Sequence, residues 1–201
     1  LRQKTGNYPG VTVERKEGTC YSQHGKPIRL IDLPGSYSLS ARSPDEAVML
    51  DVLLGRRPDT PAPDAILCIT DASNLERNLF LASQALELGL PVIVVLNMSD
   101  LAREAGVAIN ADALAERLGA TVVATEAHRK TGLNELRVAM SKQDLPAPPP
   151  KTSTVPLFDE ARLALQEALE REGFSAARAR GESFLLLAGG NETHCPGSRQ
   201  P

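Results

Sequence analysis

The stretch LIDLPGSYSL, residues 30–39, ends an apolar run on a carboxylate, Asp32, which is followed by Pro-Gly. A carboxylate at the end of a strand can reach a hydrated metal ion just beyond the sheet. A glycine three residues later, Gly35, leaves its backbone N–H open to an anion because no side chain blocks it. This D-x-x-G pattern suits the sensing of a terminal phosphate together with its Mg²⁺. Taken alone, the same residues also fit a strand that ends in a Pro-Gly turn.

A second polar stretch, NMSD (97–100), follows another apolar run. The amide of Asn97 and the carboxylate of Asp100 suit recognition of a purine. Two carboxylate oxygens match the ring N–H and the exocyclic amine of guanine, whereas adenine would present an acceptor to them. The alternative is an Asn at a strand end and an Asp that caps a helix.

Two further stretches complete the set of candidate site residues. In TEAHRKTG (125–132), after a fourth apolar run, the backbone N–H of Ala127 could meet a guanine carbonyl oxygen, and we include Thr125 in this loop. In GNYPGVTVERK (6–16), the hydroxyl of Thr12 is a candidate Mg²⁺ ligand. Thr12 fits equally well as part of a β-prone run.

The apolar runs predict the elements that position these residues. Short runs rich in β-branched residues predict strands over 26–32, 64–70, 91–97 and 120–125. Residues 11–18 alternate in polarity and predict an edge strand or an extended loop. Helical spacing predicts helices over 43–55, 74–89, 110–119 and 132–143. Alternation of strand and helix is typical of an α/β fold with a parallel sheet, which binds ligands beyond the carboxyl ends of its strands.

The composition excludes several classes of protein. The 201 residues carry a formal net charge of -3, so the charge gives no case for a nucleic-acid partner. Three widely spaced cysteines suggest neither a disulfide framework nor a zinc site. His24, His128 and His194 lack metal-ligand spacing, and each is expected to be a surface residue.

The composition also changes along the chain. We expect a nucleotide-binding domain over 1–143 and a Pro-rich linker over 144–156. A helical unit is expected to begin over 157–190, with an apolar stripe in its first helix at 157–173. Residues 191–201 have no periodicity and are expected to be disordered.

The order of these motifs is that of a guanine-nucleotide hydrolase. The longer stretches GNYPGVTVERKEG, DLPGSYSL, DASNLERNLFL and LNMSDLA resemble the cytosolic G domain of the ferrous iron transport protein B (FeoB) family, from about residue 1 to 140. The resemblance implies a P-loop NTPase-like GTPase fold that binds GTP and GDP with Mg²⁺. It also implies potassium-stimulated hydrolysis, a transmembrane iron-channel domain as partner, and a place at the cytoplasmic face of the bacterial inner membrane.

The resemblance assigns a role to each candidate. Thr12 would be the switch threonine on Mg²⁺, Asp32 would hold that Mg²⁺ through water, and the Gly35 N–H would meet the γ-phosphate. Asn97 and Asp100 would read guanine, with the Ala127 N–H on its carbonyl oxygen. Met98 would pack near the base, where other GTPases carry Lys. Residues 5–16 and 33–43 would be the switch segments.

Two departures bear on activity. No G-x-x-x-x-G-K-[ST] phosphate loop occurs in the 201 residues, and the resemblance places that loop about twenty residues before GNYPG. We therefore expect a chain that lacks the first strand and phosphate loop of the family, with weak GTP binding and negligible hydrolysis. Ser36 also stands where several GTPases carry a water-positioning Gln, so turnover is expected to be slow.

The leading hypothesis is a GTPase module that regulates Fe²⁺ uptake. The first alternative is a catalytically inactive regulatory or assembly module, in which a partner or a swapped copy of the chain fills the place of the missing strand. A weaker alternative is a translation-factor-related GTPase that assists ribosome assembly, against which the negative charge argues.

Overall fold

We describe a computed structural model of the chain, which covers residues 3–36, 38–39, 43–142, 145 and 156–188. Of the predicted linker 144–156, only Leu145 and Pro156 are described, and the predicted tail 191–201 lies outside the described residues. The structure therefore bears on the domain expected over 1–143 and on the helices that follow it.

The first sheet is an antiparallel meander. Its three strands are β1 (Gln3–Asn7), β2 (Glu14–Tyr21) and β3 (Pro27–Asp32), in the order β1-β2-β3. For residues 11–18 the prediction was an edge strand or an extended loop. Residues 14–18 instead belong to β2, which pairs with strands on both sides and is therefore not an edge. The residues of β1, QKTGN, carry no apolar pattern, so this strand had no signal in the sequence.

The second sheet is parallel, as predicted, and has the order β4-β5-β6. Its strands are β4 (Ile66–Asp71), β5 (Val92–Asn97) and β6 (Thr121–Ala124). Residues 92–96 of β5 are all buried, which explains why that strand reads as a continuous apolar run. Asp71 and Asn97 are register partners, so their side chains start from the same edge of this sheet.

The strand at 26–32 is present but pairs differently from the other predicted strands. In the described residues, β3 is hydrogen-bonded antiparallel to β2, with Lys16 opposite Asp32, and belongs to a different sheet from β4. The strand order therefore does not by itself place Asp32 beside Asp71.

Seven α-helices accompany the strands in the described residues. They are α1 (Pro44–Leu53), α2 (Leu75–Glu87), α3 (Ser99–Glu104), α4 (Ala111–Leu118), α5 (Leu133–Ser141), α6 (Pro156–Arg171) and α7 (Ala176–Leu187). Capping explains two of the predicted starts: Ser43 and Glu46 form a reciprocal capping box at α1, and the Asn110 side chain accepts from the Ala113 N–H at α4. Within the described part of the chain, no helix combines the length and the apolarity that a bilayer crossing requires.

Helix α7 packs directly against α1 and the residues around it. Leu185 of α7 shares one buried cluster with Leu39, with Leu88 and with the apolar face of α1. A β-carbon on Gly181 would lie 2.7 Å from Leu54 Cδ2, so the small residue permits the close approach. Ion pairs join the same elements: Glu182 binds Arg56 after α1.

Candidate functional site

The guanine-reading candidates lie where β5 ends and α3 begins. Asn97 is the last residue of β5, and Met98 turns the chain with φ 59° before α3 starts at Ser99. A left-handed conformation is unfavourable for a side chain such as Met, by about 1–2 kcal/mol, so the surrounding contacts must impose it. This turn places the Met98 side chain on the surface and the Asp100 side chain inward.

Asn97 connects β5 to the loop that follows β6. Its Oδ1 accepts from the Thr125 hydroxyl and from the Ala127 N–H, each at 3.1 Å. Both of these bonds use Oδ1 as the acceptor, so the amide nitrogen, Nδ2, is the other polar atom of the Asn97 side chain. Three predicted site residues are thus joined directly. The Ala127 N–H is engaged by Asn97, so a base carbonyl would have to share or replace that bond.

Further hydrogen bonds fix the same corner. The Thr125 N–H donates to the Leu96 carbonyl at 2.8 Å, and the Ser99 hydroxyl donates to the same carbonyl at 2.7 Å. The Ser99 N–H donates to the Thr125 carbonyl at 3.3 Å. The ends of β5 and β6 and the start of α3 therefore form one connected unit.

Asp100 is a buried carboxylate in the first turn of α3. Its side chain is only 4% exposed, and within the described residues its Oδ1 accepts no hydrogen bond. Its Oδ2 lies 3.3 Å from His128 Nε2 and 3.9 Å from Arg129 Nη2. A buried carboxylate with an unused acceptor is a strong candidate to receive donors from a ligand.

The loop after β6 also carries charged residues that were not predicted to belong to the site. Glu126 is buried, and its carboxylate contacts Arg103 of α3 at 3.1 Å and Arg129 at 3.5 Å. His128 was expected to be a surface residue, and 60% of its side chain is exposed, yet it contacts Asp100. Glu126, His128 and Arg129 lie within the stretch TEAHRKTG (125–132), which was their sequence signal, whereas Arg103 lies in α3 and had none.

The shape of this loop depends on backbone geometry. Glu126 and Thr131 pair across it, Lys130 turns it with φ 60°, and Gly132 leaves it with φ 77°. A β-carbon on Gly132 would lie 2.2 Å from the Ala124 carbonyl oxygen, which only glycine avoids.

The phosphate and metal candidates lie elsewhere. Thr12 is exposed in the connection between β1 and β2, Asp32 is the exposed last residue of β3, and Gly35 is exposed three residues on. Within the described residues, no hydrogen bond or ion pair joins these three to Asn97 or Asp100. The structure thus joins three of the candidate base-reading residues, Asn97, Thr125 and Ala127, and in the described residues no hydrogen bond or ion pair links them to the candidate phosphate-side residues.

The segment that carries Thr12 is anchored through Tyr8. The Tyr8 N–H donates to the Val13 carbonyl at 2.9 Å, which closes a tight loop around Thr12. The Tyr8 ring is buried and lies 5.5 Å from the Arg15 guanidinium and 5.0 Å from that of Arg57. Burial raises the pKa of the Tyr8 hydroxyl.

The segment after β3 contacts two helices. Ser36 Oγ donates to Glu46 Oε1 of α1 at 3.1 Å, and the Leu39 N–H donates to Gln84 Oε1 of α2 at 2.9 Å. Leu39 is 1% exposed. Ser36 and Leu39 are therefore hydrogen-bonded to α1 and α2, the helices against which α7 packs.

A cavity of about 40 Å³ lies between α1, α2 and α7, lined by residues such as Leu53, Leu88 and Arg178. It is too small for a nucleotide. Its lining includes Pro63 and Leu90, which precede β4 and β5, so it lies away from the carboxyl ends of those strands. The candidate site is an open surface at the edge of the parallel sheet.

The parallel sheet with flanking helices, and the Asn-Asp pair at its carboxyl edge, define a P-loop GTPase-type α/β domain. The family model described as Ferrous iron transport protein B matches residues 1–140. The chain belongs to this family.

Known proteins agree with that assignment. The chain is 44% identical over 147 residues to the Fe(2+) transporter FeoB of Salmonella typhimurium. The cytosolic domain of L. pneumophila FeoB superposes with a TM-score of 0.81 at 33% identity, over 94% of this chain and 78% of that one. A mutant of S. thermophilus NFeoB bound to GDP gives 0.74 at 37% identity, over 92% and 68%.

The matched region covers 71% of this chain but only 18% of the Salmonella transporter. The chain therefore corresponds to a small part of its curated relatives.

Proposed function

We propose that this chain is the guanine-nucleotide-binding module of a ferrous iron uptake transporter, which hydrolyses GTP to GDP and phosphate to regulate Fe²⁺ transport. The observations that carry the proposal are the hydrogen bonds of Asn97 with Thr125 and Ala127 and the buried carboxylate of Asp100, in a chain of the FeoB family. The Asp100 carboxylate offers guanine two acceptor oxygens, of which Oδ1 is unused and Oδ2 faces His128. Sites that read a base by such buried hydrogen bonds discriminate by about 10⁴-fold.

Members of the family support the proposed location and partner of this module. A relative is an Fe(2+) transporter and a structural neighbour is bound to GDP. We therefore place this module at the cytoplasmic face of the bacterial inner membrane, with a transmembrane iron-channel domain as its partner.

The described residues fit a Mg²⁺ ion that accompanies the nucleotide. Thr12 and Asp32 offer exposed oxygen donors, and Mg²⁺ is usually held by one or two protein oxygens together with phosphates and water. In the described part of the chain there is no cluster of three His, Cys, Asp or Glu that could hold a metal ion. When bound, Mg²⁺ would neutralise phosphate charge, while the Gly35 N–H would meet the γ-phosphate. Stimulation by K⁺ is a further part of the proposal, taken from the family.

A conformational change in the segment after Gly35 would be transmitted to the rest of the protein through α7. Leu39, four residues after Gly35, lies in the same buried cluster as Leu185. A change in the segment after Gly35 that moves Leu39 would disturb the packing of α7, because a dense core transmits displacement.

The decisive experiment compares fluorescent GDP and ADP binding to the complete natural protein. Asp100→Ala should abolish the preference for guanine, because the base loses its two acceptors. Asp112→Ala, an exposed acid at the start of α4, is the matched control and should keep the preference. Retention of guanine preference in Asp100→Ala would refute the assignment.

A second candidate function has one observation in its favour: the 201 residues contain no G-x-x-x-x-G-K-[ST] motif. An inactive regulatory or assembly module, completed by a partner or by a swapped copy, would need no phosphate loop. We propose that the 201-residue polypeptide alone binds GTP weakly and hydrolyses it negligibly. Phosphate release from GTP, measured for the polypeptide and for the complete natural protein, separates the two functions: turnover in the complete protein supports the GTPase, and its absence supports the inactive module.

A further inference from the structure

His128 and Asp100 form the outermost pair of a chain of alternating charges. Across the gap between α3 and the loop after β6, the order is Arg103, Glu126, Arg129, Asp100 and His128, with successive contacts of 3.1, 3.5, 3.9 and 3.3 Å. The two acids are nearly buried, whereas the side chains of His128 and Arg129 are 60% and 55% exposed. The cations thus cover the Asp100 carboxylate from the solvent side.

The His128 contact involves the atom that a guanine base would use. Guanine offers two N–H donors to the two oxygens of one carboxylate. Oδ1 of Asp100 accepts nothing within the described residues, but Oδ2 already faces the Nε2 atom of His128. An imidazolium N–H is the same kind of donor as a guanine N–H and also carries a positive charge.

We propose that His128 is an internal competitor of the guanine base for Asp100, which makes guanine-nucleotide affinity fall as the solution becomes acidic. The inference rests on the proposed function, in which Asp100 reads guanine. It assigns a specificity and regulatory role to a residue outside the base-reading set.

The sign follows from the charge of the imidazole. A histidine side chain that takes up a proton as the solution becomes acidic gains a positive charge. The cation holds the Asp100 carboxylate more strongly than the neutral ring does, and the base must displace it. Arg129 is the other cation near Oδ2, at 3.9 Å, and a substitution at His128 leaves it in place. Glu126 is paired with two arginines, and Arg103 is held by Glu126.

The test measures the dissociation constant of fluorescent GDP at pH 7.5 and pH 5.5 in the complete natural protein. The variants are His128→Gln, which keeps a donor but loses the charge, and His24→Gln, an exposed loop histidine as the matched control. We expect the ratio of the constants at pH 5.5 and 7.5 to be about two- to five-fold smaller in His128→Gln than in the wild type, the range typical of a half-exposed ion pair. The His24→Gln ratio should equal that of the wild type. Titration of the GDP phosphates cancels because it is the same in all three proteins.

The outcomes separate the two proposals. A wild type that fails to prefer GDP over ADP at pH 7.5 overturns the proposed function. A clear GDP preference with the same pH ratio in His128→Gln and the wild type overturns the role of His128 alone. A second readout is the imidazole NMR signal that His128→Gln removes: saturating GDP at pH 5.5 should shift it, and an unchanged signal contradicts the competition.

Discussion

Gly132 lies so close to the carbonyl oxygen of Ala124 that a β-carbon at Gly132 would be 2.2 Å from that oxygen. Ala124 is the last residue of β6, before the candidate base-reading loop, and Gly132 directly follows that loop. The loop from Thr125 to Thr131 can therefore close over Asn97 only because residue 132 has no side chain.

We predict that Gly132→Ala destabilises the chain and weakens guanine-nucleotide binding. The matched control is Gly106→Ala, because Gly106 has φ 76° against 77° for Gly132 but nothing within 4 Å of its added carbon. Both variants pay for the left-handed conformation, about 1 kcal/mol. Only Gly132→Ala adds a clash, which should cost about 1–3 kcal/mol more. Urea denaturation measures the difference, and equal losses in the two variants would argue against the close approach.

Removal of the Tyr8 hydroxyl is expected to have little effect on the free energy of unfolding. The hydroxyl is buried and has no hydrogen-bond partner within the described residues. Tyr8→Phe should therefore leave the free energy of unfolding within about 1 kcal/mol of the wild type, or raise it, since no bond is lost. Tyr8→Ala should lower it by about 3–5 kcal/mol because the ring fills the space between two guanidinium groups. A loss above about 2 kcal/mol in Tyr8→Phe would show that the hydroxyl has a partner.

Cys68 predicts a change of stability with pH. Burial in β4 raises the pKa of its thiol from the ordinary value of 9.0 to about 11. The unfolded chain therefore loses this proton at lower pH than the folded chain, so the stabilisation is complete below pH 9 and declines between pH 9 and 11. The decline should be on the order of 2–3 kcal/mol. The difference in unfolding free energy between the wild type and Cys68→Ala, measured at pH 8 and at pH 11, isolates this group from the others that titrate. A difference that does not change with pH would contradict the prediction.

The same thiol should be unreactive in the folded chain. In a Cys195→Ser background, Cys20, which is half-buried, should react with a disulfide reagent at pH 8, while Cys68 should react only after denaturation. Two thiols reacting at equal rates under native conditions would show that β4 is open to the reagent.

The ion pair between Glu182 of α7 and Arg56 is expected to stabilise the packing of α7 against α1. The Glu182 carboxylate is 8% exposed and accepts from Arg56 Nε at 2.7 Å, and Arg56 is also 3.3 Å from Asp51. Glu182→Ala should cost about 1–3 kcal/mol because the guanidinium keeps only one acidic partner. The exposed Glu172→Ala should change the unfolding free energy by less than about 0.5 kcal/mol. If the two variants are equally stable in urea, the ion pair does not hold α7.

The amino-acid sequence by itself determined most elements of the fold and their chemistry. The apolar runs at 64–70, 91–97 and 120–125 correspond to β4, β5 and β6, because buried parallel strands need continuous β-branched residues. The predicted helix starts at 43 and 110 coincide with residues whose side chains cap the helices, Ser43 and Asn110. The motif order identified the family. Strand β1 is polar and carries no pattern that predicts it. Helix α3 was not predicted, and within the helical unit expected over 157–190 only the first helix was given bounds. Helix α3 is only 6 residues long, and the apolar face of α7 is defined by the partners on which it packs.

Only the tertiary structure decided which of the candidate residues meet. Asn97 contacts Thr125 and Ala127, 28 and 30 residues further along the chain, because β5 and β6 are parallel neighbours whose ends coincide. The pairing of His128 with Asp100 and the burial of Glu126 also depend on how the loop folds back over α3. A sequence pattern specifies residue types and local geometry, but contacts between distant residues are set by strand pairing and side-chain packing in three dimensions.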